Sequence, residues 1–278
     1  MKLDGFRESN NVDDQRGVVG QHGGKIAIGG VGVVVIIVYS LVTGQNPNDV
    51  VRQIQNVQSA TTQVAPRAHT PAEDQAKRFV SKVLASTEDA WAEQFNRMHR
   101  TYQPPTLTLF TDQVSSACGL ADAAVGPFYC PRDRHAYIDL TFFAELQQRF
   151  GAPGDFAQAY VVAHEIGHHV QNLLGQMHDS SREGASGGSV RTELQADCYA
   201  GVWGAWAKRH NLLDTGDPEE AIRAAQAIGD DTLQRRARGR VAPETFTHGT
   251  SAQRVKWFKR GLTTGDPAQC DTFSARDL

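Results

Sequence analysis

The segment of residues 159–171 constrains this chain more than any other, because it has the composition of a helix and contains His164-Glu165-Ile166-Gly167-His168. Residues four apart lie on one face of a helix, so His164 and His168 can bind the same metal ion. Glu165 lies where a carboxylate could take a proton from a metal-activated water. The motif predicts a zinc-dependent peptidase. The alternative is an ordinary helix that carries histidines.

A catalytic zinc generally has three protein ligands and keeps a fourth position for water, so one ligand remains to be found. A second predicted helix, from Val190 to about Arg209, contains Glu193 and, one turn later on the same face, Asp197. We interpret Glu193 as the third ligand, with a solvated helix glutamate as the alternative. Asp197 could accept the free ring N–H of a ligating histidine and fix its tautomer.

The residues that follow His168 distinguish this metal-ligand set from others. A metzincin would have glycine at position 171 and histidine at 174, but the chain has Gln171 and Leu174, which excludes that class. His169 and His178 are the alternative ligands. His169 points about a hundred degrees around the helix from His168, which disfavours a shared metal ion.

A polar pair, Thr247-His248, precedes the last predicted helix, which contains Arg254. A histidine and an arginine near the metal could stabilise the oxyanion that forms when water adds to a peptide carbonyl. The alternative for both is a surface loop that caps the last helix. The acidic pair Asp230-Asp231 is interpreted as a helix cap, since the spaced oxygens of a calcium-binding loop are missing.

The stretch from Ile26 to Val42 has no charged residue and, at about 17 residues, lies at the short end of bilayer-spanning length. It begins far from the N-terminus for a signal sequence and is not followed by a small-residue cleavage site. It is apolar on all faces and rich in valine, which disfavours a buried core helix. We therefore predict a retained, single transmembrane helix that anchors the protein in a bacterial inner or plasma membrane.

Positive charge near this stretch predicts its orientation, because cytoplasmic flanks are enriched in Lys and Arg. Four such residues precede it, Lys2, Arg7, Arg16 and Lys25, whereas Arg52 is the first to follow. The N-terminus is expected in the cytoplasm and the bulk of the chain outside it. The predicted segments are a mobile cytoplasmic tail (1–25), the anchor (26–43), a linker (44–70) and one extracytoplasmic domain (71–278).

Four cysteines would then lie in a compartment where disulfides persist. Cys118 with Cys130 could close a small loop, which leaves Cys198 and Cys270 as the second pair. Four free buried thiols are the alternative. None of the four forms a Cys-x-x-Cys pair, so neither a zinc ribbon nor a thioredoxin-like motif is available.

With 278 residues, of which 40% are hydrophobic, the chain can form one large domain with a core. A net charge of −3 provides no strong basic field, so nucleic acid is not expected as a partner. Helical patterns dominate, and short alternating stretches at 107–110, 128–130 and 136–140 predict strands. The expected fold class is α+β, mainly helical, with a small, largely antiparallel sheet. An edge strand of that sheet could bind a peptide by strand addition, or the sheet could be core structure only.

Motifs along nearly the whole chain, from Asp4-Gly5-Phe6-Arg7 onward, resemble the bacterial putative neutral zinc metallopeptidase family. These motifs are Cys118-Gly119, the stretch from Gly126 to Pro131, that from Phe156 to Tyr160, that from His164 to His169, that from Glu193 to Cys198, and that from Phe246 to Thr250. The resemblance implies a membrane-anchored peptidase with a zincin-like domain, one Zn²⁺ per chain and a protein or peptide substrate.

A narrower resemblance concerns the gluzincin peptidases, which carry His-Glu-x-x-His on one helix and Glu-x-x-x-Asp on a second. It implies Glu193 as a zinc ligand and Asp197 as the partner of a ligating histidine. His248, followed six positions later by Arg254, resembles the C-terminal motif of the membrane-associated gluzincins and implies catalytic roles for both. Two other functions stay open. One is an inactive zinc-binding scaffold for an extracytoplasmic partner, and the other is a zinc hydrolase of a non-peptide amide or ester.

Overall fold

Seven α-helices and six β-strands form among the residues that the computed structural model describes, which are 1–17, 68–123, 126–177 and 184–278. The helices are α1 (Pro71–Arg97), α2 (Thr141–Gln148), α3 (Asp155–Leu174), α4 (Gly188–Arg209), α5 (Asp217–Ala227), α6 (Asp230–Arg238) and α7 (Ser251–Thr264). The strands are β1 (Val12–Asp14), β2 (Thr106–Phe110), β3 (Gln113–Ser116), β4 (Gly119–Asp122), β5 (Phe128–Cys130) and β6 (His135–Asp139). The mainly helical α+β prediction is confirmed.

The main sheet has the strand order β1-β2-β6-β5. Its first three strands are parallel, with Leu107 opposite Ala136, and only β5 runs antiparallel to its neighbour β6. The prediction of a largely antiparallel sheet is therefore wrong. The β3–β4 hairpin and β5 lie between β2 and β6 in the chain, and this length lets the chain return so that β6 runs in the same direction as β2.

The N-terminal residues belong to the same compact unit as residues 69–278. Strand β1 pairs with β2, with Val12 opposite Leu107, and the Leu3 side chain is buried. The prediction of a mobile tail is wrong for residues 1–16, because a three-residue strand has too little sequence pattern to be recognised and its partner is far along the chain.

The predicted anchor at 26–43 lies outside the described residues, as do the rest of the predicted tail from 18 to 25 and the linker up to residue 67. Within the described part of the chain, no helix combines the length and the apolar character that crossing a membrane requires. The linker's last residue, Thr70, is described, and its side chain caps α1 as part of a capping box with Glu73.

Helices α3 and α4 cross in contact because a glycine lies at the crossing point. A Cβ atom at Gly167 would lie 2.9 Å from the carbonyl oxygen of Ala196, closer than real Cβ atoms approach. Gly261 has the same role between α7 and α4, since a Cβ there would lie 1.9 Å from the carbonyl oxygen of Cys198. The missing side chains let α3 and α7 both approach α4, which is buried along most of its length.

Gly167→Ala is expected to weaken metal binding and lower the melting temperature, because the added methyl group pushes α3 away from α4. The matched control is Gly204→Ala, where the nearest atom to the new Cβ would be the terminal carbon of the flexible Leu262 side chain, at 3.1 Å. Both substitutions favour a helix by about 0.5–1 kcal/mol. Zinc titration and thermal denaturation of both variants check this, and equal behaviour of the two would contradict it.

Both predicted disulfides are present in the structure. Cys118–Cys130 joins the turn of the β3–β4 hairpin to β5 across 12 positions, and Cys198–Cys270 spans 72 positions. The second bond ties α4 to the short 3₁₀ turn Pro267–Cys270 that follows α7. In the chain-entropy model, closure of this longer loop stabilises the fold by about 4 kcal/mol. The described cysteines include no free thiol.

Candidate metal centre

Two histidines of α3 and one glutamate of α4 converge at the crossing of these helices. The Nε2 atoms of His164 and His168 lie 3.2 and 3.4 Å from the two carboxylate oxygens of Glu193. The possible ligand atoms of these three residues all lie within 4.8 Å of one another. The four-residue spacing on α3 orients both imidazoles toward α4, so these three side chains can hold one metal ion.

The second ring nitrogen of each histidine, Nδ1, is fixed by a hydrogen bond to a neighbouring side chain. The Nδ1–H of His164 donates to Asp197 Oδ1 at 2.9 Å, and that of His168 donates to Gln171 Oε1 at 2.8 Å. Gln171 is oriented in turn, since its amide donates to the carbonyl oxygen of Thr192 at 2.8 Å. These bonds favour the tautomers that leave both Nε2 lone pairs for a metal.

Gln171 is a site residue that the sequence analysis missed, because its identity served there only to exclude the metzincins. The available signal was its position three residues after His168, which places it on the same helix face.

Asp197 lies at the centre of a buried polar network behind the ligands. Its Oδ1 accepts hydrogen bonds from the Tyr160 hydroxyl at 2.5 Å and from His164, and its two oxygens accept from Nη2 and Nε of Arg254 at 2.9 Å each. Asp197 and Arg254 are both buried. Burial opposes ionisation of Asp197, but Arg254 and His164 outweigh it and hold the pKa of the carboxyl below its usual value.

This network changes the interpretation of Arg254. We predicted a catalytic role at the oxyanion, but two of its guanidinium nitrogens are engaged by Asp197, and Nη2 also donates to Tyr160. A donor for an oxyanion has to be available to the substrate. These hydrogen bonds indicate that Arg254 supports Asp197, which in turn orients His164. Arg254 also lines the cleft, and its catalytic role stays a prediction.

Glu165 lies beside the ligands and lines a cleft of about 730 Å³ that also exposes His164, His168 and Glu193. Its side chain is nearly buried. Burial raises its pKa, and the neighbouring histidines partly oppose this increase. A carboxyl group with a raised pKa at the base of a cleft is suited to exchange a proton at near-neutral pH.

His248 also lines the cleft, and its side chain is about half exposed. Its Nδ1 lies 3.3 Å from Asp230 Oδ1, and the other oxygen of Asp230 accepts the backbone N–H groups of Thr247, His248 and Gly249 at 2.7–3.0 Å. The bond with Asp230 raises the pKa of His248 despite desolvation.

Asp230 is therefore more than the helix cap that the sequence suggested, because it fixes the loop and the imidazole together. This role could not be predicted, because nothing in the local pattern links residue 230 to a loop 17 positions later.

The alternative ligand His169 faces away from the centre. Its Nδ1 accepts from the Tyr129 hydroxyl at 3.0 Å, and its Nε2–H donates to the carbonyl oxygen of Gln103 at 2.7 Å. Burial lowers the pKa of His169 to about 4, so the ring is neutral and joins β5 to α3. His178, the other alternative, lies outside the described residues.

Residues 1–273 match the family model described as "Putative neutral zinc metallopeptidase". The chain belongs to this family. It is 47% identical over 285 residues to the "Uncharacterized protein YpfJ" of Escherichia coli (strain K12), which covers 98% of this chain and 99% of that protein. It is 48% identical over 216 residues to the "Uncharacterized protein Rv2575" of Mycobacterium tuberculosis, with 73% and 74% covered. No solved structure matches the chain.

Membership of a zinc metallopeptidase family implies Zn²⁺, and the charges at the site fit that ion. Burial opposes a positive charge on His164, yet the carboxylates of Asp197 and Glu193 outweigh burial and raise the pKa of His164 to about 10. Burial also opposes ionisation of Glu193, but His168 and His164 hold its pKa well below the usual value. Carboxylates that attract protons this strongly would also attract a divalent cation. Two imidazoles and one carboxylate form a donor set that suits catalytic zinc.

Proposed function

We propose that the protein is a zinc-dependent metallopeptidase with a zincin-like domain, in which His164, His168 and Glu193 hold one zinc ion. One observation carries this proposal. The Nε2 atoms of both histidines face Glu193, while both Nδ1 atoms form hydrogen bonds with neighbouring side chains. The nearly buried Glu165 lies beside them in a cleft. A purely structural zinc site would use a fourth protein ligand and has no need for such a carboxylate.

Zinc bound there would supply a Lewis acid that polarises the scissile carbonyl and lowers the pKa of a water molecule. Glu165 would accept the proton of the attacking water and pass it to the leaving amine. His248, whose imidazolium form Asp230 favours, would donate a hydrogen bond to the developing oxyanion. Asp197 and Gln171 would hold the two ligating imidazoles in place.

The cleft supports a peptide substrate in an extended conformation. Strand β5 is at the edge of the main sheet, and its residues Phe128 and Tyr129 line the cleft. An edge strand offers backbone groups to which a substrate strand can pair. Phe142, Phe150 and Val161 add apolar surface to the same cleft, which favours a substrate with large apolar side chains near the scissile bond.

We also propose a location at a bacterial inner or plasma membrane with the catalytic domain outside the cytoplasm. Two observations support it. The uncharged, apolar stretch from Ile26 to Val42 favours contact with lipid, and the two disulfides are stable in oxidising compartments.

The test combines metal analysis of the purified full-length protein with a chelator-sensitive cleavage assay on a peptide library and on ester and amide substrates. We expect about one zinc per chain and peptide cleavage that a chelator abolishes and zinc restores. Zinc without cleavage of any substrate would favour the inactive scaffold. Cleavage of esters or non-peptide amides alone would favour the other hydrolase.

Asp230→Asn is expected to shift the alkaline limb of the kcat/KM profile to lower pH. Since the folded-state pKa of His248 is raised, the imidazolium is present below that pKa and is lost as the pH rises through it. Removal of the Asp230 charge lowers the pKa of His248, so the imidazolium is lost at lower pH. Asp231→Asn is the matched control, because Asp231 accepts from Ser251 and not from His248. Identical profiles for the two variants would rule out this role.

A further inference from the structure

We infer that residues 1–16 lie in the same compartment as residues 69–278, as an integral part of the same fold. This arrangement differs from the orientation that the flanking charges indicate, in which one membrane crossing separates the tail from the domain. The inference rests on backbone pairing and ion pairs and is independent of the proposed peptidase activity.

Backbone pairing joins the N-terminal segment to the main sheet. Val12, Asp13 and Asp14 pair in register with β2, and the pairing extends beyond β1 at both ends. The Leu107 N–H donates to the carbonyl oxygen of Asn11, and the Gln15 N–H donates to that of Leu109, both at 2.8 Å. Without β1, the backbone of β2 would form an unpaired sheet edge, although the side chains of Leu107 and Leu109 are fully buried.

The segment also provides the partners of Glu88, a nearly buried carboxylate on α1. Its Oε1 accepts hydrogen bonds from the Ser9 hydroxyl at 2.5 Å and from the Asn11 amide at 2.8 Å, and its Oε2 pairs with Arg7 at 3.0 Å. Ser9 is bonded to α1 as well, since its N–H lies 3.0 Å from the Ser81 hydroxyl. Loss of partners from a buried charge is costly, so α1 requires this segment.

Two of the four positive charges that indicated a cytoplasmic tail, Arg7 and Arg16, form ion pairs in the fold. The Arg16 side chain is 3% exposed, pairs with both oxygens of Asp14 at 2.7 and 2.8 Å, and donates to the carbonyl oxygen of Glu73 at 2.8 Å. Arg7 pairs with Asp89 as well as with Glu88. The positive-inside rule concerns charges that remain beside the membrane. These two arginines are ion-paired within the folded domain, so they carry no orientation signal.

The pairing of β1 with β2 is incompatible with a bilayer between these two strands. The hydrocarbon core of a bilayer is about 30 Å thick, whereas the backbone of residues 11–15 lies within hydrogen-bonding distance of β2. The interval between residues 17 and 68 contains a single long apolar stretch, and the sequence after Val42 is polar. A single complete crossing between residues 17 and 68 would place residues 1–16 and 69–278 on opposite sides of the bilayer, which the pairing of β1 with β2 does not permit. The two disulfides of the domain then place both parts outside the cytoplasm.

The test uses single cysteines in the full-length protein in bacterial cells whose inner membrane is intact. Glu8→Cys reports the N-terminal segment and Asp277→Cys the C-terminal end, and both positions are exposed. We expect a membrane-impermeant maleimide to label both. Labelling of one position alone would overturn the inference. Protection of both would support a shared compartment and overturn its assignment to the outside.

A second measurement tests the pairing in the membrane itself. In the chain with Ser9→Cys and Ser81→Cys, we expect an intrachain disulfide after mild oxidation of isolated membranes, seen by mass spectrometry. The control is Asp4→Cys with Ser81→Cys, because Asp4 is exposed and its side chain makes no described contact with α1. Equal cross-linking of both pairs, or none in either, would contradict the structure-based pairing.

Discussion

Glu165→Gln is expected to leave zinc bound and to lower kcat for peptide cleavage by roughly 10²- to 10⁴-fold, the usual contribution of general acid–base catalysis. Glutamine has almost the same shape as glutamate, so the cleft and the ligands His164, His168 and Glu193 stay in place. Its amide, however, cannot accept a proton. Steady-state kinetics combined with metal analysis of the same preparation separates loss of chemistry from loss of the ion.

A matched control lies in the same cleft. Glu145 on α2 is an exposed glutamate that also lines the cleft. It belongs to no group of possible metal ligands among the described residues, so Glu145→Gln should retain near-normal kcat. Glu193→Gln should instead reduce the zinc content, because a neutral amide is a weaker ligand than a carboxylate. If the Glu165→Gln protein carried full zinc and cleaved peptides at the normal rate, the proposed mechanism would be wrong.

Two of the three candidate ligands could be chosen from the sequence because their spacing is local. A separation of four residues on α3 brings His164 and His168 to one face whatever the rest of the fold does. Spacing also places Glu193 and Asp197 on one face of α4, but their roles beside α3 were implied by the resemblance to the gluzincins. The start of α1 could be predicted for the same reason, since the Thr70 capping box and Pro71 are signals within a few residues.

Features that depend on distant parts of the chain could not be predicted from the sequence. Asp230 becomes part of the site only because the loop at 247–249 folds over it. The direction of β6 relative to β2 depends on the path of the intervening chain, which alternation of apolar residues does not encode. Strand β1 has only three residues, Val-Asp-Asp, and its order comes entirely from β2 and α1.

Arg254→Met is expected to destabilise the fold by about 3–5 kcal/mol, the usual cost of removing one partner from a buried ion pair. Methionine fills much of the space but leaves the fully buried Asp197 carboxylate without its two guanidinium hydrogen bonds. Urea denaturation in the presence of a chelator measures this effect without a contribution from metal binding. Arg260→Met on the same helix is the control, since the exposed Arg260 side chain lies over the ring of the buried Trp257 and its replacement should cost under about 1 kcal/mol.

The same variant decides between the two roles of Arg254. An oxyanion donor would lower kcat and leave stability nearly unchanged. A support for Asp197 lowers stability, and part of that loss should be recovered when Asp197→Asn is added, because the neutral amide costs less to bury unpaired. The double-mutant cycle should therefore give a coupling energy between Arg254 and Asp197 of more than about 1 kcal/mol. A coupling near zero together with an unchanged unfolding midpoint would return Arg254 to the catalytic role that the sequence first indicated.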